Sequence, residues 1–185
     1  KWERKPVALA PDQDYDKDHG AFSGSAVSED GKLYLIYTGV ANNQQQQCVA
    51  VSEDGVNFDK INRNPVISTS MIPNAYSKAD FRDPYVYKKG DTYYALIGTK
   101  RGNYGNMLMY KSTNLTSWSF VGEVMNSSNQ QMDNFYQLNG VYECPSYANL
   151  DGKEVLICSP QNLPTRGVDF ENIHSVVYMV GEFDY

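Results

Sequence analysis

Residues 81–99 read FRDPYVYKKGDTYYALIGT, and this stretch decides the fold. Aromatic and β-branched residues, which favour strands, stand on both sides of a short polar turn. Within that turn, Gly90 can supply the positive φ that a tight hairpin requires. The stretch therefore predicts a β-hairpin whose first strand opens on two charged residues, Arg82 and Asp83.

The same pattern occurs three times along the chain. It is repeated at residues 22–38 (FSGSAVSEDGKLYLIYT) and at residues 142–159 (YECPSYANLDGKEVLICS). After each of the first two hairpins, a strand leads into a Ser-x-Asp or Ser-x-Asn turn, with an aromatic residue six positions after the serine. No segment shows sustained helical periodicity with caps at both ends. The chain thus repeats a unit of about four strands over about 60 residues.

This repeat is typical of a β-propeller blade, and we predict an all-β fold. The expected architecture is part of one propeller domain, with about three blades of four antiparallel strands each. The approximate blade bounds are residues 20–75, 76–138 and 139–185, the last incomplete, and residues 1–19 are interpreted as an outer strand of a preceding blade plus a loop. A β-sandwich is the alternative, but it gives no reason for three matching hairpins. Because three blades cannot close a ring, we expect a fragment of a larger domain, or self-association through open blade edges.

Composition narrows the function. The formal net charge of −6 argues against a nucleic-acid partner, because phosphate binding needs concentrated Lys and Arg. No apolar run approaches the roughly 18 residues of a membrane span, so we expect no membrane partner. Cys48, Cys144 and Cys158 are odd in number and lack metal-type spacing, which favours reduced thiols and a cytoplasmic location over secretion. We expect neither a metal nor a cofactor.

The first strand of each repeat is the candidate channel-lining strand, so its early residues would ring one channel mouth. Asp83 and Glu143 then hold approximately equivalent positions there. Two carboxylates in a polar pocket with aromatic walls suit glycosidic-bond hydrolysis, in which one is held protonated and the other ionised. Arg82 would keep a neighbouring carboxylate ionised and could donate to sugar hydroxyls. Taken alone, Arg-Asp-Pro also fits an ion pair that caps a strand at the surface, Glu-Cys-Pro is no more specific, and Phe22-Ser23-Gly24-Ser25 fits a plain tight entry to a strand.

Three motifs carry a resemblance to a known family. FSGSA at 22–26, FRDP at 81–84 and YECP at 142–145 resemble, in order and spacing, signature motifs of glycoside hydrolase family 32. That family comprises the invertases, sucrose-6-phosphate hydrolases, inulinases and levanases. The resemblance runs across essentially the whole chain. It implies a five-bladed propeller followed by a β-sandwich, with this chain as blades two to four. It also implies cleavage, with retention, of β-fructofuranosidic bonds in sucrose, sucrose-6-phosphate or fructan.

The resemblance also implies a role for each motif residue. Glu143 would be the general acid/base that protonates the departing glucosyl oxygen, and Asp83 would bind fructose hydroxyls and stabilise the transition state. Arg82 would hydrogen-bond near the acid/base, while Phe22 and Ser23 would line the fructose pocket. The family's nucleophile, the aspartate of an Asn-Asp-Pro-Asn-Gly motif, has no match in this sequence. We therefore expect the chain by itself not to hydrolyse sucrose.

The exact substrate and the reaction type stay open at this point. Lys100 and Arg101 lie in a Gly-rich loop and are candidate contacts to a 6-phosphate; a solvated loop pair is the alternative. The cysteines favour an intracellular sucrose-6-phosphate hydrolase rather than a secreted invertase. The competing functions are those of a levansucrase-type transferase, an arabinanase-type inverting enzyme and a non-catalytic carbohydrate-binding propeller.

Overall fold

The computed structural model describes residues 1–127, 140–172, 174–183 and 185, and its regular structure consists of three antiparallel sheets. The first sheet contains β1 (Gly20–Glu29), β2 (Lys32–Ala41), β3 (Gln44–Ser52) and β4 (Asp59–Lys60). The second contains β5 (Phe81–Lys89), β6 (Thr92–Arg101), β7 (Tyr104–Ser112) and β8 (Ser119–Asn126). The third contains β9 (Tyr142–Leu150), β10 (Lys153–Pro160) and β11 (Val177–Gly181). A single 3-10 turn, Thr69–Met71, lies between the first two sheets within the described residues.

Strand order confirms the predicted all-β, partial-propeller fold. In every sheet the strands follow one another in chain order, as they do in a propeller blade. The three sheets lie within residues 20–60, 81–126 and 142–181, and the predicted blade bounds beyond them stay a prediction. Residues 1–19 form turns and no strand, so their assignment to a preceding blade also stays a prediction. No helix in the described part of the chain is long and apolar enough to cross a bilayer.

The hairpin turns explain why each repeat carries a glycine. Asp30 and Gly31 both adopt positive φ, at 49° and 74°, as the two-residue type I′ turn requires. Asp151 and Gly152 repeat this at 51° and 81°. In the middle hairpin Gly90 stands first in the turn with φ 59°, the arrangement of type II′. The predicted role of the three glycines is therefore confirmed.

The second shared element also folds alike in both of its copies. The Ser52 hydroxyl accepts the N–H three residues later, and Asp54 Oδ1 accepts the next two N–H groups. Ser112 and Asn114 make the same set of bonds in the second sheet. Leu115, with φ 64°, stands where the first copy has a glycine. Such Asx turns end the third strand of each of the first two blades and start the return to the fourth.

The core lies between the sheets, which pack face to face. Along β6, Ala95 and Ile97 contribute to the cluster against the first sheet, whereas Leu96 contributes to the cluster against the third. This alternation is the period of two expected of a strand. The middle sheet is thus covered on both faces, and each fully buried aliphatic side chain contributes about 1.5–3 kcal/mol. The stacking brings the starts of β1, β5 and β9 together at one end of the molecule.

Candidate active site

A β-bulge interrupts the start of the first strand in all three sheets. The breaks in register fall between Phe22 and Gly24, between Arg82 and Tyr85, and between Glu143 and Ser146. A bulge inserts an unpaired residue and re-aims the side chains beside it, and bulges are common next to active sites. Each of the three sequence motifs therefore coincides with one of the three bulges.

The pairing register refines which residues correspond from blade to blade. Arg82 pairs with Gly98 and Glu143 with Ser159, so Glu143 corresponds to Arg82. Counted in the same way, Asp83 corresponds to Cys144. The sequence predicted that Asp83 and Glu143 hold approximately equivalent positions in their blades. The strand pairing shows that their positions differ by one residue, because similar residues in two motifs need not occupy the same position on the bulge.

Asp83 is buried and holds the third blade by its side chain. Its carboxylate Oδ2 accepts the backbone N–H of Cys144 at 3.0 Å, and the Cys144 thiol lies 3.7 Å from the same oxygen. Both residues adopt the left-handed region, with φ 61° for Asp83 and 47° for Cys144, which costs about 1–3 kcal/mol per residue. Burial raises the pKa of Asp83, and it outweighs the Cys144 N–H bond and the charge of Arg82, both of which lower that pKa.

Arg82 joins the middle blade to Glu143. Its Nε and Nη2 both donate to Glu143 Oε1, at 3.1 Å and 2.8 Å, so the second carboxylate oxygen takes no part in either bond. The guanidinium is also held by Gln45 Oε1 at 3.4 Å and by Asp80 Oδ1 at 3.5 Å. Arg82 is buried, whereas 31% of the Glu143 side chain is exposed. The Glu143 carboxylate is therefore held by Arg82 on one side and is exposed on the other.

Two glutamines that sequence reasoning missed anchor the start of β5. Gln45 Oε1 accepts the backbone N–H of Phe81, and Gln47 Nε2 donates to the Phe81 carbonyl, both at 2.8 Å. These side chains form hydrogen bonds with backbone groups on the open edge of β5, as a neighbouring strand would. The available signal was the run QQQQ at 44–47, in which alternate residues of a strand share one face.

Phe22 and Ser23 lie at the exposed start of β1. Phe22 is 39% exposed and takes the position in β1 that Arg82 takes in β5. It pairs with Thr38, whose hydroxyl accepts the N–H of Asp83. The structure thus brings Phe22 to the same end of the molecule as the charged residues, and its role as a pocket wall, like that of Ser23, stays a prediction.

Lys100 and Arg101 are the last two residues of β6, where they pair with Gly105 and Tyr104. The prediction that they lie in a loop is therefore wrong, because the strand continues to Arg101 before it turns. Lys100 Nζ is 3.0 Å from Asp80 Oδ2, and Asp80 in turn contacts Arg82. Burial alone would raise the pKa of Asp80, but bonds from Lys100 and Ser77 and the nearby Arg82 hold that pKa below its ordinary value. Arg101 stacks over the ring of Tyr76, 5.8 Å from its centroid. A contact of either cation with a phosphate stays a prediction.

A cavity opens beside the exposed side of Glu143. Its volume is about 210 Å³. The residues that line it are Glu143, Ser159, Pro160, Gln161, Asn162, His174 and Ser175. Polar side chains and a carboxylate around a cavity can bind a polyhydroxylated ligand and move a proton to it.

Known proteins share the sequence pattern and the fold of this chain. The family model described as Glycosyl hydrolases family 32 N-terminal domain matches residues 1–185. A sucrose-6-phosphate hydrolase from Bacillus subtilis is 39% identical over the whole of this chain, which spans 38% of that relative's length. A β-fructofuranosidase from Bombyx mori superposes with a TM-score of 0.84 at 36% identity, over 100% of this chain and 38% of the other. A sucrose-6-phosphate hydrolase from Lactobacillus gasseri gives 0.76 at 28% identity, over 94% and 34%.

Proposed function

This chain belongs to glycoside hydrolase family 32, and on that premise we propose that the protein carrying it is a retaining β-fructofuranosidase. The proposed substrates are sucrose, sucrose-6-phosphate or fructan. The chain spans little more than a third of the length of its curated relatives, so activity belongs to the whole protein. The Bombyx enzyme has also been solved, as a variant, in complex with sucrose, and that chain is 35% identical to this one.

One observation carries the proposal: Glu143, Arg82 and Asp83 converge from two blades onto two facing bulges. Two contacts from Arg82 fix the orientation of Glu143, and its open side faces a cavity. A general acid needs this placement, because it must reach the departing glycosidic oxygen within hydrogen-bond distance. In the proposed mechanism Glu143 gives its proton to that oxygen and later takes one from the attacking water.

Asp83 is proposed to hold fructose hydroxyls and to stabilise the transition state. The N–H of Cys144 holds this carboxylate in place while it stays buried. A buried, pre-oriented charge stabilises a developing oxocarbenium ion more strongly than a hydrated one would. Phe22 and Ser23 are proposed to line the fructose pocket from the first blade.

The attacking group is proposed to lie outside these 185 residues. A retaining mechanism places a second carboxylate roughly 5–5.5 Å from the acid/base. The sequence has no Asn-Asp-Pro-Asn-Gly motif, so none of its aspartates is assigned as the nucleophile. We accordingly propose that the 185-residue chain by itself does not hydrolyse sucrose.

Among the substrates, sucrose-6-phosphate is favoured by the relatives that carry this name and by the cations beside the site. Lys100 and Arg101 are the proposed phosphate contacts, with Asp80 holding Lys100 toward the site. A cytoplasmic location, with secretion as the alternative, is part of the same proposal and rests on the three free thiols.

The test is a substrate and product assay on the whole protein. Purified enzyme is given sucrose, sucrose-6-phosphate and a fructan, and the anomer first released is recorded by NMR. Release of β-fructose supports the proposal, and a Lys100→Ala, Arg101→Ala double variant should raise KM for sucrose-6-phosphate alone.

Fructosyl transfer to sucrose would indicate a levansucrase-type enzyme, and an inverted product would indicate an arabinanase-type enzyme. Binding without turnover would indicate a carbohydrate-binding propeller.

A further inference from the structure

A closed ring of hydrogen bonds surrounds the start of β5 and involves no side chain of the three motifs. The Thr38 hydroxyl donates to Gln47 Oε1 at 2.8 Å, and Gln47 Nε2 donates to the Phe81 carbonyl at 2.8 Å. The ring closes where the backbone N–H of Asp83 donates to the Thr38 hydroxyl at 3.1 Å. Two side chains of the first blade thus hold the backbone on either side of Arg82 in the second blade.

Burial makes this ring sensitive to the chemistry of its members. Thr38, Gln47 and Phe81 are all fully buried, so no water competes for their polar groups. A hydroxyl has one hydrogen to give and lone pairs to accept with. The Thr38 hydrogen goes to Gln47, and the oxygen is therefore oriented to accept from Asp83. A buried donor left without its acceptor is expensive, so the direction of the ring is fixed.

The group that the ring holds is a strained one. Asp83 has φ 61°, in a region where a residue other than glycine stays only if its surroundings fix it. Its N–H bond to Thr38 fixes the backbone, and the Cys144 N–H fixes the carboxylate. Without the first bond, rotation toward ordinary strand geometry would turn the carboxylate away from Cys144 and from the neighbour of Cys144, Glu143.

We propose that Thr38 and Gln47 are positioning residues that hold Asp83 in its left-handed conformation and thereby set the distance between the Asp83 and Glu143 side chains. Neither residue is assigned a contact with substrate. The proposal rests on the proposed function, since its effect is read through turnover. Displacement of a catalytic group by about 1 Å can cost on the order of a hundredfold in rate.

The experiment compares Thr38→Val and Thr38→Ser in the whole protein, with Thr99→Val as a matched control. Valine keeps the shape of threonine without its hydroxyl, and serine keeps the hydroxyl. Thr99 is also fully buried in the second strand of a blade, but its hydroxyl donates to the Ser77 carbonyl instead, at 3.3 Å. For each variant kcat and KM on sucrose and the Tm are measured.

The expected result is a loss of kcat of about 10- to 100-fold for Thr38→Val, with KM changed by no more than about twofold. Thr38→Ser should recover most of kcat, and Thr99→Val should lose Tm without losing kcat. Equal kcat for Thr38→Val and Thr99→Val would overturn the inference, and so would a serine variant as slow as the valine variant.

A second variant covers the case in which Thr38→Val does not fold. Gln47→Met keeps the length of the side chain but removes both its acceptor for Thr38 and its donor to Phe81. A folded Gln47→Met protein with wild-type kcat overturns the inference, and so does failure of both variants to fold, because the ring would then serve the fold as a whole. A wild-type protein that hydrolyses no β-fructofuranoside contradicts the proposed function and is recognised before any variant is made.

Discussion

Asp83 shows how a single residue can be bound to three blades at once. Its N–H reaches Thr38 of the first blade, its chain belongs to the second, and its carboxylate accepts from Cys144 of the third. Both its left-handed backbone and its buried charge oppose folding, so neither helps the molecule to be stable. Such local costs are expected at a site whose geometry serves chemistry.

Asp83→Asn should therefore stabilise the protein and slow it at the same time. A raised folded-state pKa means that Asp83 favours folding when protonated, below its unfolded pKa, and that this contribution is lost as the pH rises through the folded pKa. At neutral pH the uncharged asparagine, which also tolerates left-handed φ, avoids that loss.

The measurement is Tm against pH together with kcat. We expect a higher Tm than wild type at pH 7, a difference that vanishes in acid, and a kcat reduced by about 10²–10³-fold. A variant that is less stable at pH 7 would contradict the cost assigned to the buried carboxylate.

At the scale of elements, the close approach of β6 to β9 determines where Glu143 stands. Gly98 faces the carbonyl of Tyr142, the residue before Glu143, and a Cβ added at Gly98 would lie 1.8 Å from that oxygen. In the first blade the corresponding position is Thr38, whose side chain reaches Asp83. The two blade junctions thus use the same strand position differently, once for close approach and once for a hydrogen bond.

Gly98→Ala should consequently damage both fold and site. The added methyl must push the start of β9 away, which is expected to lower the free energy of unfolding by about 2–4 kcal/mol. Activity should fall because Glu143 moves with Tyr142. Gly122→Ala is the control, since nothing lies within 4 Å of its added Cβ. Similar Tm values for the two variants would show that β9 does not depend on this approach.

The third sheet is fixed to the second by a buried carboxylate in β10. Glu154 accepts hydrogen bonds from Tyr147 and Tyr185 hydroxyls and from the Phe183 N–H, and it pairs with Lys89. Burial would raise its pKa, but these donors outweigh burial and lower the pKa to about 2.

This pKa predicts an acid-sensitive junction. A lowered folded-state pKa stabilises the protein above the unfolded value of 4.5, and the stabilisation is lost as the pH falls from there through about 2. Glu154→Gln should therefore cost about 2 kcal/mol at pH 7 and much less near pH 2. The check is the difference in Tm between variant and wild type across that range, and a constant difference would refute the prediction.

Sequence patterns predicted the elements better than the connections between them. Three hairpins with glycine turns and the two Ser-x-Asp/Asn turns follow from local rules, and all of them were predicted. The bulges were not, because a one-residue insertion changes the register without changing the motif letters. Gln45 and Gln47 escaped notice for another reason: their partners lie 36 and 34 residues away, and only tertiary packing brings them together.

At the scale of the whole molecule, the middle blade is covered on one face by the first sheet and on the other by the third. The outer face of the third sheet leaves Leu150, Tyr178 and Val180 more than half exposed. Self-association through the open edges of the incomplete propeller was expected from the sequence and stays a prediction. The described cluster itself depends on the whole stack, because Arg82 and Glu143 come from different blades and Thr38 from another.

The central claim is that Glu143 is the general acid/base of a β-fructofuranosidase, and Glu143→Gln in the whole protein tests it most directly. Glutamine keeps the size of the side chain and an acceptor for Arg82, but it cannot give a proton. Glu29→Gln, in an exposed ion pair with Lys88 at the other end of β1, is the control. We predict that kcat on sucrose falls at least about a hundredfold for Glu143→Gln and stays unchanged for Glu29→Gln, with the two proteins equally folded. A Glu143→Gln enzyme that turns over sucrose at near wild-type rate would contradict the account.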